Sequence, residues 1–206
     1  MTKTTRRFAL AGACTIAAGC ASMLAADVPD VSGVLRESFA ARGPAGLDRI
    51  EQSPLQKTCS EYAGRDLPAD LRQKIEQAEL ARIRYPSDGR FLGDWRRGEV
   101  VAQSGRGLQF TDAPGSVGGG NCYACHELTR AEVSYGNIGP SLRQYGKLRG
   151  TGDPIVRYTW GKVWNSHAFN ACTNMPRFGD AGILTEAQLK DVMALLLDPA
   201  SPVNAD

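Results

Sequence analysis

Residues 122–126 read Cys122-Tyr123-Ala124-Cys125-His126, a C-x-x-C-H pentapeptide, and the fold is read outward from it. The spacing has a chemical basis. Two thiols three positions apart share one helical turn, where both can add to the vinyl groups along one porphyrin edge. The next residue then points an imidazole at the metal. The pattern predicts one covalently attached haem c, with Cys122 and Cys125 as thioether anchors and His126 as axial ligand. Other chemistries also use paired cysteines. A zinc site would need a second matched pair of soft ligands, whereas Cys59, Cys172 and His167 stand isolated. A thioredoxin-type disulfide expects a βαβ setting, and no strand alternation is found.

A metal-bound imidazole needs its second N–H held by an acceptor. Gly139-Pro140 follows His126 by about 14 residues in a loop that can fold back under the haem, so the Pro140 carbonyl is the candidate acceptor. Beyond residue 26 the chain has two methionines, Met175 and Met193. Met193 shares an apolar stripe with Leu189, Val192 and Leu196, where a core thioether is the default. Met175 lies in the loop Asn174-Met175-Pro176-Arg177-Phe178-Gly179, which can cross the haem face and present its sulfur. Met175 is therefore the candidate sixth ligand. Cys172, three residues away, and His167 remain the rivals.

The rest of the pattern is helical. Val31, Val34, Leu35 and Phe39 recur at helical spacing, with Gly43-Pro44 as the stop. Leu55 to Leu67 reads as irregular. Pro68 suits a helix start, and Leu71, Ile75, Ala78 and Ile83 supply a buried face ending before Pro86. Asp94 caps a helix to about Ser104, with Trp95, Val100 and Val101 as apolar members. Residues 111–120 are loop, and Thr129 to Gly152 is turn-rich. Asp153-Pro154 opens a helix to about Trp164. Thr185 and Gln188 form a capping box for a last helix that ends at Asp198-Pro199. The expectation is an all-α chain: a helical N-terminal extension over residues 27–88 and a class I cytochrome c-like domain over 89–206.

Residues 1–26 read as an export signal. Lys3, Arg6 and Arg7 precede an apolar run from Phe8 to Ala18 that is too short to span a membrane. Thr5-Arg6-Arg7-Phe8 leaves the general and twin-arginine routes open. Ala17-Ala18-Gly19-Cys20 resembles a lipoprotein cleavage box without its usual Leu, and Cys20 is read as a discarded signal residue. The signal holds three basic residues and no acid. The remainder then carries 21 basic and 22 acidic side chains, a balance that gives no basis for nucleic-acid binding. The predicted location is the periplasm, with no membrane span. Disulfides persist there. With two thiols on haem, Cys59 and Cys172 form an even pair. A bridge between them would staple the extension to the Met175 loop, with an entropic gain of roughly 4 kcal/mol in the chain-entropy model.

Several stretches together resemble SoxX, the small monohaem subunit of the SoxAX cytochrome of bacterial thiosulfate oxidation. They are Gly120-Asn121-Cys122-Tyr123-Ala124-Cys125-His126, Tyr135-Gly136-Asn137-Ile138-Gly139-Pro140-Ser141-Leu142, Tyr145-Gly146-Lys147-Leu148-Arg149-Gly150, the Met175 loop, and Gly182-Ile183-Leu184-Thr185-Glu186 leading to Ser201-Pro202-Val203. The likeness covers about residues 84–203. It implies Cys122 and Cys125 as attachment sites, His126 as proximal ligand and Met175 as distal ligand. It also implies a SoxA-like cytochrome partner, a SoxYZ-like carrier protein and a downstream electron-accepting cytochrome. The implied role is the electron-accepting subunit of an L-cysteine S-thiosulfotransferase, with the catalytic residue on the SoxA partner. A free-standing periplasmic shuttle cytochrome is the alternative. The sequence itself contains no carboxylate pair, Ser/His/Asp set or phosphate loop, and an iron holding His and Met has no free position for substrate.

Overall fold

The computed structural model describes residues 30–205. The predicted signal, with Cys14 and Cys20, lies outside the described residues. Contacts divide the chain into two units, one ending at Ser38 and one beginning at Phe39. In the first, α1 spans Val31–Ser38 and buries none of its residues. The expected apolar stripe therefore faces outward, with Val31 and Val34 exposed.

The described residues of the second unit form six α-helices: α2 (Pro54–Glu61), α3 (Ala69–Leu80), α4 (Trp95–Gln103), α5 (Tyr145–Arg149), α6 (Asp153–Trp164) and α7 (Glu186–Leu197). Among the described residues the only β pairing is an isolated bridge between Arg42 and Ala45. The chain is all-α there, as its periodicity predicts.

Helix α7 forms the centre. Thr185 and Gln188 make the reciprocal capping box, which satisfies two of the amides a helix start leaves unpaired. Leu189, Met193, Leu195 and Leu197 are each at most 1% exposed, and burying such a side chain contributes about 1.5–3 kcal/mol. Helix α4 crosses α7 so closely that a Cβ on Gly98 would stand 2.1 Å from the Asp191 carbonyl oxygen. The buried Asp191 carboxylate accepts from Asp94 N at 2.8 Å and from Arg97 Nε at 2.9 Å. This pins the start of α4 to α7. Asp94 in turn caps α4 by accepting from Arg96 N. Of the apolar members of this helix, Val100 is exposed, whereas its neighbour Val101 is buried.

Behind α7 lies α6, whose Trp160 is buried and donates from Nε1 to Arg84 O at 2.8 Å. Trp160 stacks on Trp164 and meets the edge of Phe91. The chain after α7 closes the core. Asn204, 1% exposed, accepts from Gly146 N at the start of α5 and donates to Leu196 O and Asp198 O at the end of α7.

Two readings near the N-terminal side need correction. The stretch from Leu55 is largely helical: Ser53 and Gln56 form a capping box and Pro54 occupies the first turn of α2. In α3, Ala78 is exposed, and the half-buried face consists of Leu71, Ile75, Glu76 and Glu79. Two carboxylates turn inward because they have partners there, described below.

Candidate functional site

Cys122–Ala124 form a single 3-10 turn entered through Asn121 in the left-handed region, at φ 45°. Asn tolerates that conformation better than most residues. The end of α4 fixes the entry, since Gly120 N donates to Val101 O and Asn121 N to Ser104 O. Tyr123 is buried and its hydroxyl lies 3.5 Å from Thr129 Oγ1.

A returning loop lies alongside the motif. Gly136 N donates to Tyr123 O at 2.8 Å, Gly139 N to Cys125 O at 2.8 Å and Leu142 N to Glu127 O at 2.7 Å. These three bonds set Pro140 beside His126, and His126 Nδ1 is 2.7 Å from Pro140 O. A carbonyl can only accept, so Nδ1 carries the proton and Nε2 of the neutral ring keeps its lone pair. The approach is close: a Cβ at Gly139 would lie 2.1 Å from His126 Cε1 and 2.7 Å from Nε2. Gly139 is required for contact, a role that a turn reading of Gly139-Pro140 overlooks.

Cys122 and Cys125 are both unbridged. Burial pushes the Cys122 thiol up to about 12. Cys59 and Cys172 are joined by a disulfide with a Cα–Cα distance of 5.5 Å.

Met175 follows that bridge by three residues. Its amide donates to Thr173 Oγ1 and its carbonyl accepts from Ser166 Oγ. Met175 and Cys122 both pack against the core that contains Phe178, Leu184 and Met193. Met193 is fully buried. His167 Nδ1 is 2.6 Å from Ala171 O, so that nitrogen is engaged locally.

The residues that sequence reading missed lie opposite this loop. Glu79 accepts from Asn165 Nδ2 at 2.7 Å and pairs with Arg177 at 3.8 Å. Glu76 accepts from Ala171 N at 3.3 Å. A carboxylate three residues from another on an otherwise polar helix reads as a solvated face, and nothing local distinguishes it. Among the described residues, no group of three or more His, Cys, Asp or Glu side chains is gathered as a metal cage.

The chain is similar to an uncharacterized lipoprotein of Aquifex aeolicus (strain VF5). The two are 41% identical over 138 residues, which is 66% of this chain and 64% of the relative. The matched part is thus under two thirds of the relative's own length. No protein-family model matches. No helix among the described residues is long and apolar enough to cross a membrane.

Proposed function

We propose that this protein is a c-type cytochrome with a class I fold that carries one haem and transfers electrons. The observation that carries the reading is His126 Nδ1 on Pro140 O at 2.7 Å within a C-x-x-C-H motif whose thiols are both free. The residues present fit the group. Cys122 and Cys125 would hold it covalently, His126 Nε2 would ligate iron, and Met175 would supply a second protein ligand. When bound, haem supplies one-electron chemistry, and a His/Met pair raises its potential.

The chain's own residues then have defined tasks. Pro140 fixes the His126 tautomer and ring plane. Gly139 leaves room for the ring. The Met175 loop excludes outside ligands.

The resemblance to SoxX extends the proposal. This subunit would accept electrons as a SoxA-like partner couples thiosulfate to a cysteine of a SoxYZ-like carrier, then pass them to a downstream cytochrome. The designation of the Aquifex relative as a lipoprotein supports export of the present chain, and the periplasm is the proposed location.

The test is direct. Protein purified from the native host should be coloured, give a haem c pyridine spectrum, and exceed its polypeptide mass by one haem. Colourless protein at bare polypeptide mass rejects the proposal. Size-exclusion of the native material should show co-elution with a larger haem protein. A lone monomer that still shuttles electrons would replace the SoxAX assignment with that of a free cytochrome.

A further inference from the structure

The links that α2 and α3 make to distant chain converge on residues 165–177. Cys59 of α2 is bonded to Cys172. Glu76 of α3 holds the Ala171 amide, and Glu79 holds Asn165 and Arg177. Arg82, just past α3, continues the set with a two-point contact to Asp180 at 2.8 and 3.0 Å. Met175 lies inside this bracket, and its own local bonds reach only Thr173 and Ser166.

We infer that the Cys59–Cys172 bridge is a redox-sensitive brace on the Met175 loop, and that a dithiol which reduces it loosens Met175 from iron. This rests on the reading of Met175 as the sixth ligand. A thioether is a weak ligand, so its occupancy depends on how firmly the loop is held. The bridge is the one covalent hold, three residues from the sulfur. Without it, the nearest ties from the N-terminal segment are non-covalent: Glu79 with Arg177 at 3.8 Å and Glu76 with Ala171 N at 3.3 Å.

The bridge is also reachable. Cys59, Cys172 and Met175 line a cavity of about 910 Å³, together with Arg65, Arg72 and Arg177 and one acid, Asp66. Three arginines against one aspartate leave an excess of basic side chains in the lining, which favours approach of an attacking thiolate. In the exchange the thiolate attacks one sulfur and breaks the S–S bond. Two electrons and two protons pass from the dithiol to the bridge, leaving Cys59 and Cys172 as thiols and the reagent as its own disulfide. The iron's oxidation state is unchanged by this step.

The experiment uses the intact holoprotein. The bridge is reduced with a phosphine, the thiols are capped with iodoacetamide, and the iron is reoxidised with ferricyanide. The expected result is loss or marked weakening of the far-red sulfur-to-iron charge-transfer band, with imidazole binding to ferric haem at least about tenfold tighter. Reoxidising an uncapped sample should restore both properties. The Cys59→Ser/Cys172→Ser double variant should match the capped protein, and if it fails to accumulate, the chemical route on wild type decides. A band unchanged in protein shown by mass to be capped at both thiols overturns the inference and leaves the haem reading standing. Haem-loaded wild type without the band removes Met175 as ligand and the inference with it.

Discussion

His126 Nδ1 lies 2.7 Å from the Pro140 carbonyl oxygen, across a loop held to the motif by three backbone hydrogen bonds. The contact fixes which ring nitrogen is free. It also depends on the absence of a side chain at the preceding residue, where a Cβ would stand 2.1 Å from Cε1 of the ring.

Gly139→Ala should therefore push the imidazole off its acceptor. Disturbing such a supporting contact typically weakens metal binding about 10–100-fold. The expected outcome is a sharp fall in low-spin haem per mole of purified polypeptide, read from the absorption spectrum. Normal low-spin haem in this variant would show that the close approach has no bearing on ligation.

Met175→Ala should abolish the sulfur-to-iron charge-transfer band and lower the reduction potential, because loss of thioether ligation removes the feature that raises it. The haem should stay covalently attached, since Cys122 and Cys125 are untouched. A band that survives would show that Met175 is not its source.

Gly98→Ala tests the core away from the site. The new methyl group would meet the Asp191 carbonyl at 2.1 Å, and backbone cannot yield there as a flexible side chain would. Overpacking of this kind costs about 1–3 kcal/mol, several degrees in Tm for a chain of this size. Thermal unfolding should show that loss, while the haem spectrum of the folded variant at room temperature stays as in wild type.

How far these sites were readable follows from the range of the interactions behind them. The bounds of α6 (Asp153–Trp164) and α7 (Glu186–Leu197) follow from local chemistry: Pro154 in a first turn, a Thr185–Gln188 box, a stripe ending at Pro199. The motif and Pro140 are close in sequence, so a returning loop was foreseeable. Helix α2 carried its own signal, Ser53-Pro54 with Gln56, but the irregular apolar spacing around Cys59 hid it. The inward turn of Glu76 and Glu79 was not readable, because their partners Ala171, Asn165 and Arg177 lie about 90 residues away. Helix α5 was hidden by its glycines. Gly146 and Gly150 read as turns, and the buried Asn204 that receives the Gly146 amide comes 58 residues later.

Asp88 gives a pH dependence with a definite sign. Its carboxylate accepts from the Arg90 amide and from Lys190, which holds its pKa at about 2, below the ordinary 3.8. A lowered folded-state pKa contributes stability that is fully present above the unfolded value and is lost as pH falls through the folded one. The difference in stability between wild type and Asp88→Asn should be constant above about pH 4 and fade toward pH 2. Acid titrations of unfolding would check it, and a difference that persists at pH 2 would rule out this carboxylate as the source.

The native disulfide joins the first and last of the four cysteines after residue 26, and the pair proposed to hold haem lies between them in sequence. A chain emerging N-terminus first presents Cys59, then Cys122, and Cys172 only after both. An oxidase working in order of emergence would link Cys59 to the wrong thiol. Under the proposed haem attachment, correct maturation would require either that thioether formation retire the inner pair first, or that an isomerase undo the early mispairing.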